Sequence, residues 1–81
     1  MRRVEVIMAT GCHLCPPAIE AATAASAGHG AELVIVDIDG DVELERRYRE
    51  LIPVVVVDGV EVGRFVIEQS TIEKALAVER S

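Results

Sequence analysis

The chain opens with an apolar run, Val4-Glu5-Val6-Ile7-Met8-Ala9, broken only at Glu5. Runs of this kind mark strands covered on both faces, as in parallel sheets. A helical segment follows from about His13 to Ala27, stopped at Gly28-His29-Gly30, where glycine tolerates the terminating conformation. Leu33-Val34-Ile35-Val36 is a second β-branched run. With a helix between them, the two strands form a βαβ unit and pair in parallel. Asp37-Ile38-Asp39-Gly40-Asp41 reads as a turn, and Val42 to Glu50 as a second helix with Leu44, Tyr48 and Leu51 on one side. Glu43–Arg47, Glu45–Arg49 and Arg46–Glu50 are opposite charges four positions apart, each pair worth a few tenths of a kcal/mol on a helix.

Ile52-Pro53-Val54-Val55-Val56-Val57 is strand three, and Asp58-Gly59 is a two-residue hairpin signal that returns Val60 to Phe65 antiparallel. Ser70-Thr71-Ile72-Glu73 has the form of a capping box opening a third helix, with Ile72, Ala75, Leu76 and Val78 facing inward. The predicted order is βαβαββα: an α/β fold with a four-stranded mixed sheet flanked by three helices, in a single domain over residues 1–81. So short a chain buries only about 60% of the surface it would otherwise expose. Its core must come from Val, Ile, Leu and Ala, because there is one Phe, one Tyr and no Trp.

The candidate chemistry lies where the first strand meets the first helix, at Thr10-Gly11-Cys12-His13-Leu14-Cys15-Pro16-Pro17. Both cysteines of the protein are here, spaced C-x-x-C. As a cross-link, so small a ring stabilises by only about 2 kcal/mol, too little for a structural framework. The pair is therefore redox-active or metal-binding, in keeping with a reducing cytoplasm. The thiolate is the reactive form, and unpaired N–H groups at a helix N-terminus stabilise it. An ordinary thiol is only about 3% ionised at neutral pH, so such a shift matters. In the redox reading Cys12 attacks a substrate disulfide and Cys15 then attacks the mixed disulfide. Pro16 and Pro17 fit a first helical turn, but they also push the helix start later than Cys12.

Charge narrows the partners. A net charge of -6 argues against a nucleic-acid or anionic-membrane surface. No apolar run approaches the ~20 residues of a membrane span, and Arg2-Arg3 is followed by neither a long apolar stretch nor a cleavage-like site. The expectation is a soluble cytoplasmic monomer. His13 is placed to tune Cys12 as a cation or proton acceptor, or is simply solvated at a helix start. His29, between glycines, is a surface residue, and Met8 is a core position. Asp37, Asp39 and Asp41 alternate like calcium-loop ligands, yet Val42 stands at the required glycine and Tyr48 at the required glutamate. They read as acids at a helix start. Arg46, Arg47 and Arg49 read as a solvated face paired with glutamates, or as a dock for an acidic reductase.

The order βαβαββα, with C-x-x-C at the first strand–helix junction and Pro53 at the third strand, resembles the thioredoxin fold. Within it the chain is most similar to short bacterial glutaredoxin-like proteins, through Cys12-His13-Leu14-Cys15, Val36-Asp37-Ile38-Asp39, Tyr48, Ile52-Pro53-Val54-Val55 and Asp58-Gly59. The resemblance implies an exposed nucleophile at Cys12, a buried resolving thiol at Cys15, and a cis Ile52-Pro53 bond facing them. X-Pro bonds are cis in only about 5–6% of cases, so that assignment follows from the resemblance alone. It also implies a substrate surface of Gly11, His13, Leu14, Ile52, Pro53, Gly63 and Arg64.

The implied activity is thiol–disulfide exchange on protein or low-molecular-weight disulfides, with a reductase or a small thiol as electron donor. No resident cofactor or metal is implied; glutathione or another small thiol is the candidate co-substrate. Glutathione-using glutaredoxins usually carry a Lys before the first Cys, an aromatic inside C-x-x-C and a Gly-Gly followed by Asp after the hairpin. This chain has Thr10-Gly11, His13-Leu14 and Gly63-Arg64-Phe65 there, which favours dithiol exchange over glutathione-specific chemistry.

Two other readings compete. One is a soft-metal carrier binding Cu(I) or Zn(II) through the same two thiolates. Such carriers of the ferredoxin-like fold have the order βαββαβ and a Met where Thr10 stands. The other is a redox-inactive thioredoxin-like interaction domain, which the intact Cys pair disfavours.

Overall fold

Val55 and Val57 pack on one face of a four-stranded sheet, Val54 and Val56 on the other, and that alternation decides where each helix sits. The computed structural model describes residues 2–78. Its elements are β1 (Arg3–Met8), α1 (Cys15–His29), β2 (Glu32–Asp37), α2 (Val42–Tyr48), β3 (Val54–Val57), β4 (Val60–Arg64) and α3 (Gln69–Ala77). The sheet order is β2-β1-β3-β4. β1 and β2 run parallel, with Met8 beside Asp37; β1–β3 and β3–β4 are antiparallel. This is the order and mixed sheet that the sequence pattern predicts.

The two faces bury different helices. Val4, Val6, Val55 and Val57 pack with Ala18, Ala22 and Ala25 of α1, Ile67, and Ile72 and Leu76 of α3. The alanines recur at four and three positions, so α1 brings a face of small side chains against the sheet. On the opposite face Ile7, Ala9, Ile38 and Val54 are covered by Leu44, Tyr48 and Leu51, the three residues expected to share a side. Fully burying one such aliphatic side chain contributes about 1.5–3 kcal/mol. The β3–β4 hairpin closes through Asp58 and Gly59, both at positive φ (49° and 85°), as a type I′ turn requires. A register shift between Val55 and Val56 leaves Val62 without an opposite residue, a bulge in β4.

Several boundaries differ from the sequence reading. α1 starts at Cys15, not His13. Pro16 and Pro17 have no N–H, so the first donor able to close a helical bond back to i−4 is Ala18, and its partner is the carbonyl of Leu14, at 3.4 Å. α1 continues through Gly28 and ends at Gly30 in the left-handed conformation. α2 stops at Tyr48, and β4 at Arg64.

The ion pairs change accordingly. Glu45–Arg49 forms, but Glu43–Arg47 and Arg46–Glu50 do not form among the described residues. Glu50 lies past the end of α2, and Arg47 sits over the Tyr48 ring instead, 5.4 Å from its centroid.

The expected capping box also fails. Glu68 occupies the N-cap of α3 without a side-chain bond, and Ser70 lies inside the helix. Val78, expected inward, is exposed beyond the helix end. Among the described residues no helix is long and apolar enough to cross a membrane.

Candidate active site

Strand register brings the candidate residues to one end of the sheet. Ile7 lies opposite Val54, and Val54 opposite Arg64. The loop leaving β1 after Met8, which carries Gly11 to Leu14, therefore lies at the same end as Ile52-Pro53 ahead of β3 and Arg64 at the end of β4. Gly63 is one position further in, opposite Val55. His29 falls at the far end of α1, where the chain turns back to start β2 beside Arg3.

Cys12 and Cys15 are joined in a disulfide, with Cα atoms 5.4 Å apart. Their environments differ. Cys12 is half-buried in the loop, between exposed Gly11 and exposed His13 and Leu14, whereas Cys15 is 1% exposed as the first residue of α1. Gly11 has φ +84°, a conformation that L side chains rarely adopt, and it shapes the approach to Cys12.

The helix start delivers fewer donors than the sequence argument supposes. Of the first three residues of α1 only Cys15 has an N–H, and it donates to the carbonyl of Cys12 at 3.4 Å. Pro16 and Pro17 offer none, so the partial positive charge at this terminus rests on fewer amides than usual.

The Ile52-Pro53 bond is cis. Ile52 is half-buried and Pro53 buried; the carbonyl of Pro53 accepts from the N–H of Phe65 at 2.9 Å. Phe65 follows β4 in the left-handed region at φ +62°. Arg64 is exposed, and its guanidinium is engaged by Glu61 of the same strand.

The acidic turn after β2 divides its work. Asp41 is the N-cap of α2, its carboxylate accepting from Leu44 N–H at 3.1 Å, as expected of an acid at a helix start. Asp37 accepts from the N–H of Asp39 at 2.9 Å. Asp39 does something the sequence did not signal: its Oδ2 accepts from the N–H of Thr10 at 2.9 Å. That bond, then hydrogen bonding from the Thr10 side chain, and after these the Arg49 guanidinium 3.9 Å away, hold the Asp39 carboxyl below the usual aspartate value. Arg49 in turn is held protonated more firmly, chiefly by Glu45.

Sheet order and helix placement define a thioredoxin-fold protein, with a C-x-x-C pair at the first strand–helix junction that fits redox chemistry. The chain matches the Glutaredoxin-like domain (DUF836) over residues 3–80 and belongs to that family. Among solved structures it is similar to protein XcR50 from X. campestris, at 30% identity and TM-score 0.74, covering 90% of this chain and 93% of that one. Protein Ne2328 from Nitrosomonas europaea is 27% identical with TM-score 0.76, covering 94% and 92%. The NTD_N/C domain of alkylhydroperoxide reductase AhpF from Enterococcus faecalis is 28% identical with TM-score 0.73, covering 94% of this chain and 38% of that one. Comparison with curated proteins gives no significant match. The observed order βαβαββα is not the βαββαβ of ferredoxin-like metal carriers.

Proposed function

We propose that this protein is a thiol–disulfide oxidoreductase that reduces protein and low-molecular-weight disulfides with Cys12 as nucleophile and Cys15 as resolving thiol. The observation that carries this reading is the asymmetry of one bonded pair: Cys12 half-buried in a loop between exposed neighbours, Cys15 buried at the start of α1. In the reduced protein the Cys12 thiolate attacks one sulfur of the substrate disulfide. That S–S bond breaks, and the departing thiolate takes a proton from water. Cys15 then loses its proton and attacks Cys12 Sγ, releasing the second substrate thiol and leaving the Cys12–Cys15 disulfide. Two electrons pass from the protein to the substrate, and a reductase or a pair of small thiols returns them.

Gly11, His13, Leu14, Ile52, Pro53, Gly63 and Arg64 form the substrate surface in this reading. An extended substrate segment beside Cys12 would be recognised through backbone groups as well as side chains. The setting is a reducing cytoplasm, and the acting unit a monomer.

The test is insulin-disulfide reduction with two serine variants. Cys12→Ser should abolish turnover, and Cys15→Ser should accumulate a one-to-one mixed disulfide with substrate. Equal loss in both with no trapped adduct overturns the proposal. Running the assay with thioredoxin reductase and with a glutathione system identifies the electron donor.

A further inference from the structure

We propose that Asp39 is a positioning residue for Cys12, holding the nucleophile's loop against the turns on either side of α2. This deepens the oxidoreductase reading and rests on it. Asp39 Oδ2 accepts from the N–H of Thr10, two residues before Cys12, at 2.9 Å. The loop's own backbone bonds are longer: Cys12 N–H to Ala9 O and Cys15 N–H to Cys12 O are both 3.4 Å. A bond to an ionised acceptor is also stronger than a neutral one. The contact from Asp39 is therefore the firm attachment of this segment to the rest of the fold.

Asp39 is itself held on three sides. Its N–H donates to Asp37 Oδ1 at 2.9 Å. Its neighbour Ile38 is fully buried and donates to Met8 O at 2.9 Å, continuing the β1–β2 pairing by one more bond. Its Oδ1 faces Arg49, 3.9 Å away, and Arg49 also pairs with Glu45 of α2. From Arg49 the chain turns through Leu51 and Ile52, whose N–H groups both donate to Tyr48 O at 2.8 and 3.1 Å, and enters the Ile52-Pro53 bond. One carboxylate thus links the Cys12 loop to the end of α2 that leads to Pro53. The alternating Asp37, Asp39 and Asp41 have a use without a metal: one orients the turn, one anchors the thiol loop, one caps the helix.

The experiment compares Asp39→Ala with Asp39→Asn in the full chain. Asn keeps an acceptor oxygen and loses the charge; Ala loses both. Two quantities are read: amide hydrogen exchange at Thr10 by NMR, and kcat/KM for insulin-disulfide reduction. In Asp39→Ala the Thr10 amide should exchange faster and kcat/KM should fall, each on the order of threefold to tenfold. Asp39→Asn should return both to within about twofold of the parent. Unchanged turnover in Asp39→Ala overturns the proposal, as does Thr10 exchange in Asp39→Ala equal to that of the parent. If the parent protein itself reduces no disulfide, the oxidoreductase reading fails, while Thr10 exchange still reports whether the anchor exists.

Discussion

Ile7 of β1 stands opposite Val54 of β3, and this one pairing puts the Cys12 loop and Pro53 at the same end of the sheet. Neither residue is chemical. Each is buried on the face covered by α2, so the register is fixed by apolar packing. A slip of one residue would move Val54 to the wrong face and carry Pro53 with it.

The contrast in exposure between the two cysteines sets an order of reactivity. In the reduced, folded protein, iodoacetamide should modify Cys12 and spare Cys15, with rates differing by on the order of tenfold or more. Peptide mapping by mass spectrometry after a timed quench reads the result. Equal labelling would remove the structural basis for separate roles.

Arg2 should matter for stability far more than its neighbour Arg3. Its guanidinium contacts Asp58 and donates to the carbonyls of Leu76 and Ala75 at 2.8 and 3.2 Å, satisfying the last turn of α3. Arg3 pairs with Glu32 in a largely exposed bridge. Arg2→Ala should cost about 1–3 kcal/mol and Arg3→Ala about 0–1 kcal/mol, measured by urea unfolding.

The depressed carboxyl of Asp39 gives a signed pH dependence. Its folded pKa lies below the ordinary 3.8, first because Thr10 N–H bonds the charged form. The stabilisation is therefore present in full above the unfolded value and is lost as pH falls through the folded one. The difference in urea midpoint between parent and Asp39→Asn should be flat near neutrality and shrink below about pH 4. A difference that grows on acidification would contradict the assigned cause.

Two glycines should respond in opposite directions to alanine. At Gly63 an added Cβ meets Ile67 Cγ1 at 3.2 Å, and Ile67 is buried, so Gly63→Ala should destabilise by about 1 kcal/mol. At Gly28, inside α1, nothing lies within 4 Å of the new atom. Gly28→Ala should stabilise by about 0.4–1 kcal/mol. Thermal unfolding of the two variants beside the parent decides both.

Much of this fold was legible in the residues, because apolar runs and one turn signal carry direct physical meaning. Val54 to Val57 followed by Asp58-Gly59 admits little but a strand and a hairpin. What failed was local chemistry that depends on neighbours far along the chain. Ser70 and Glu73 have capping-box spacing, but the chain enters α3 earlier, from Ile67, buried against Gly63. Arg46 and Glu50 have helical spacing, but the helix ends between them.

At the candidate site the cysteine spacing could be read directly, whereas the cis bond before Pro53 came only through the family resemblance. The contact between Asp39 and Thr10 could not be read, since no periodicity links positions 29 residues apart. Only the parallel pairing of β1 with β2 makes them neighbours.

The order β2-β1-β3-β4 has a further consequence. The Cys12 loop and Pro53 both spring from inner strands, each clamped by a partner on either flank, while β2 and β4 form the rims. Lengthening a rim strand away from the reactive end, or adding a new one beside it, would leave the spacing between thiol and proline untouched. The architecture separates a part that must hold still from margins that can change in length without disturbing it.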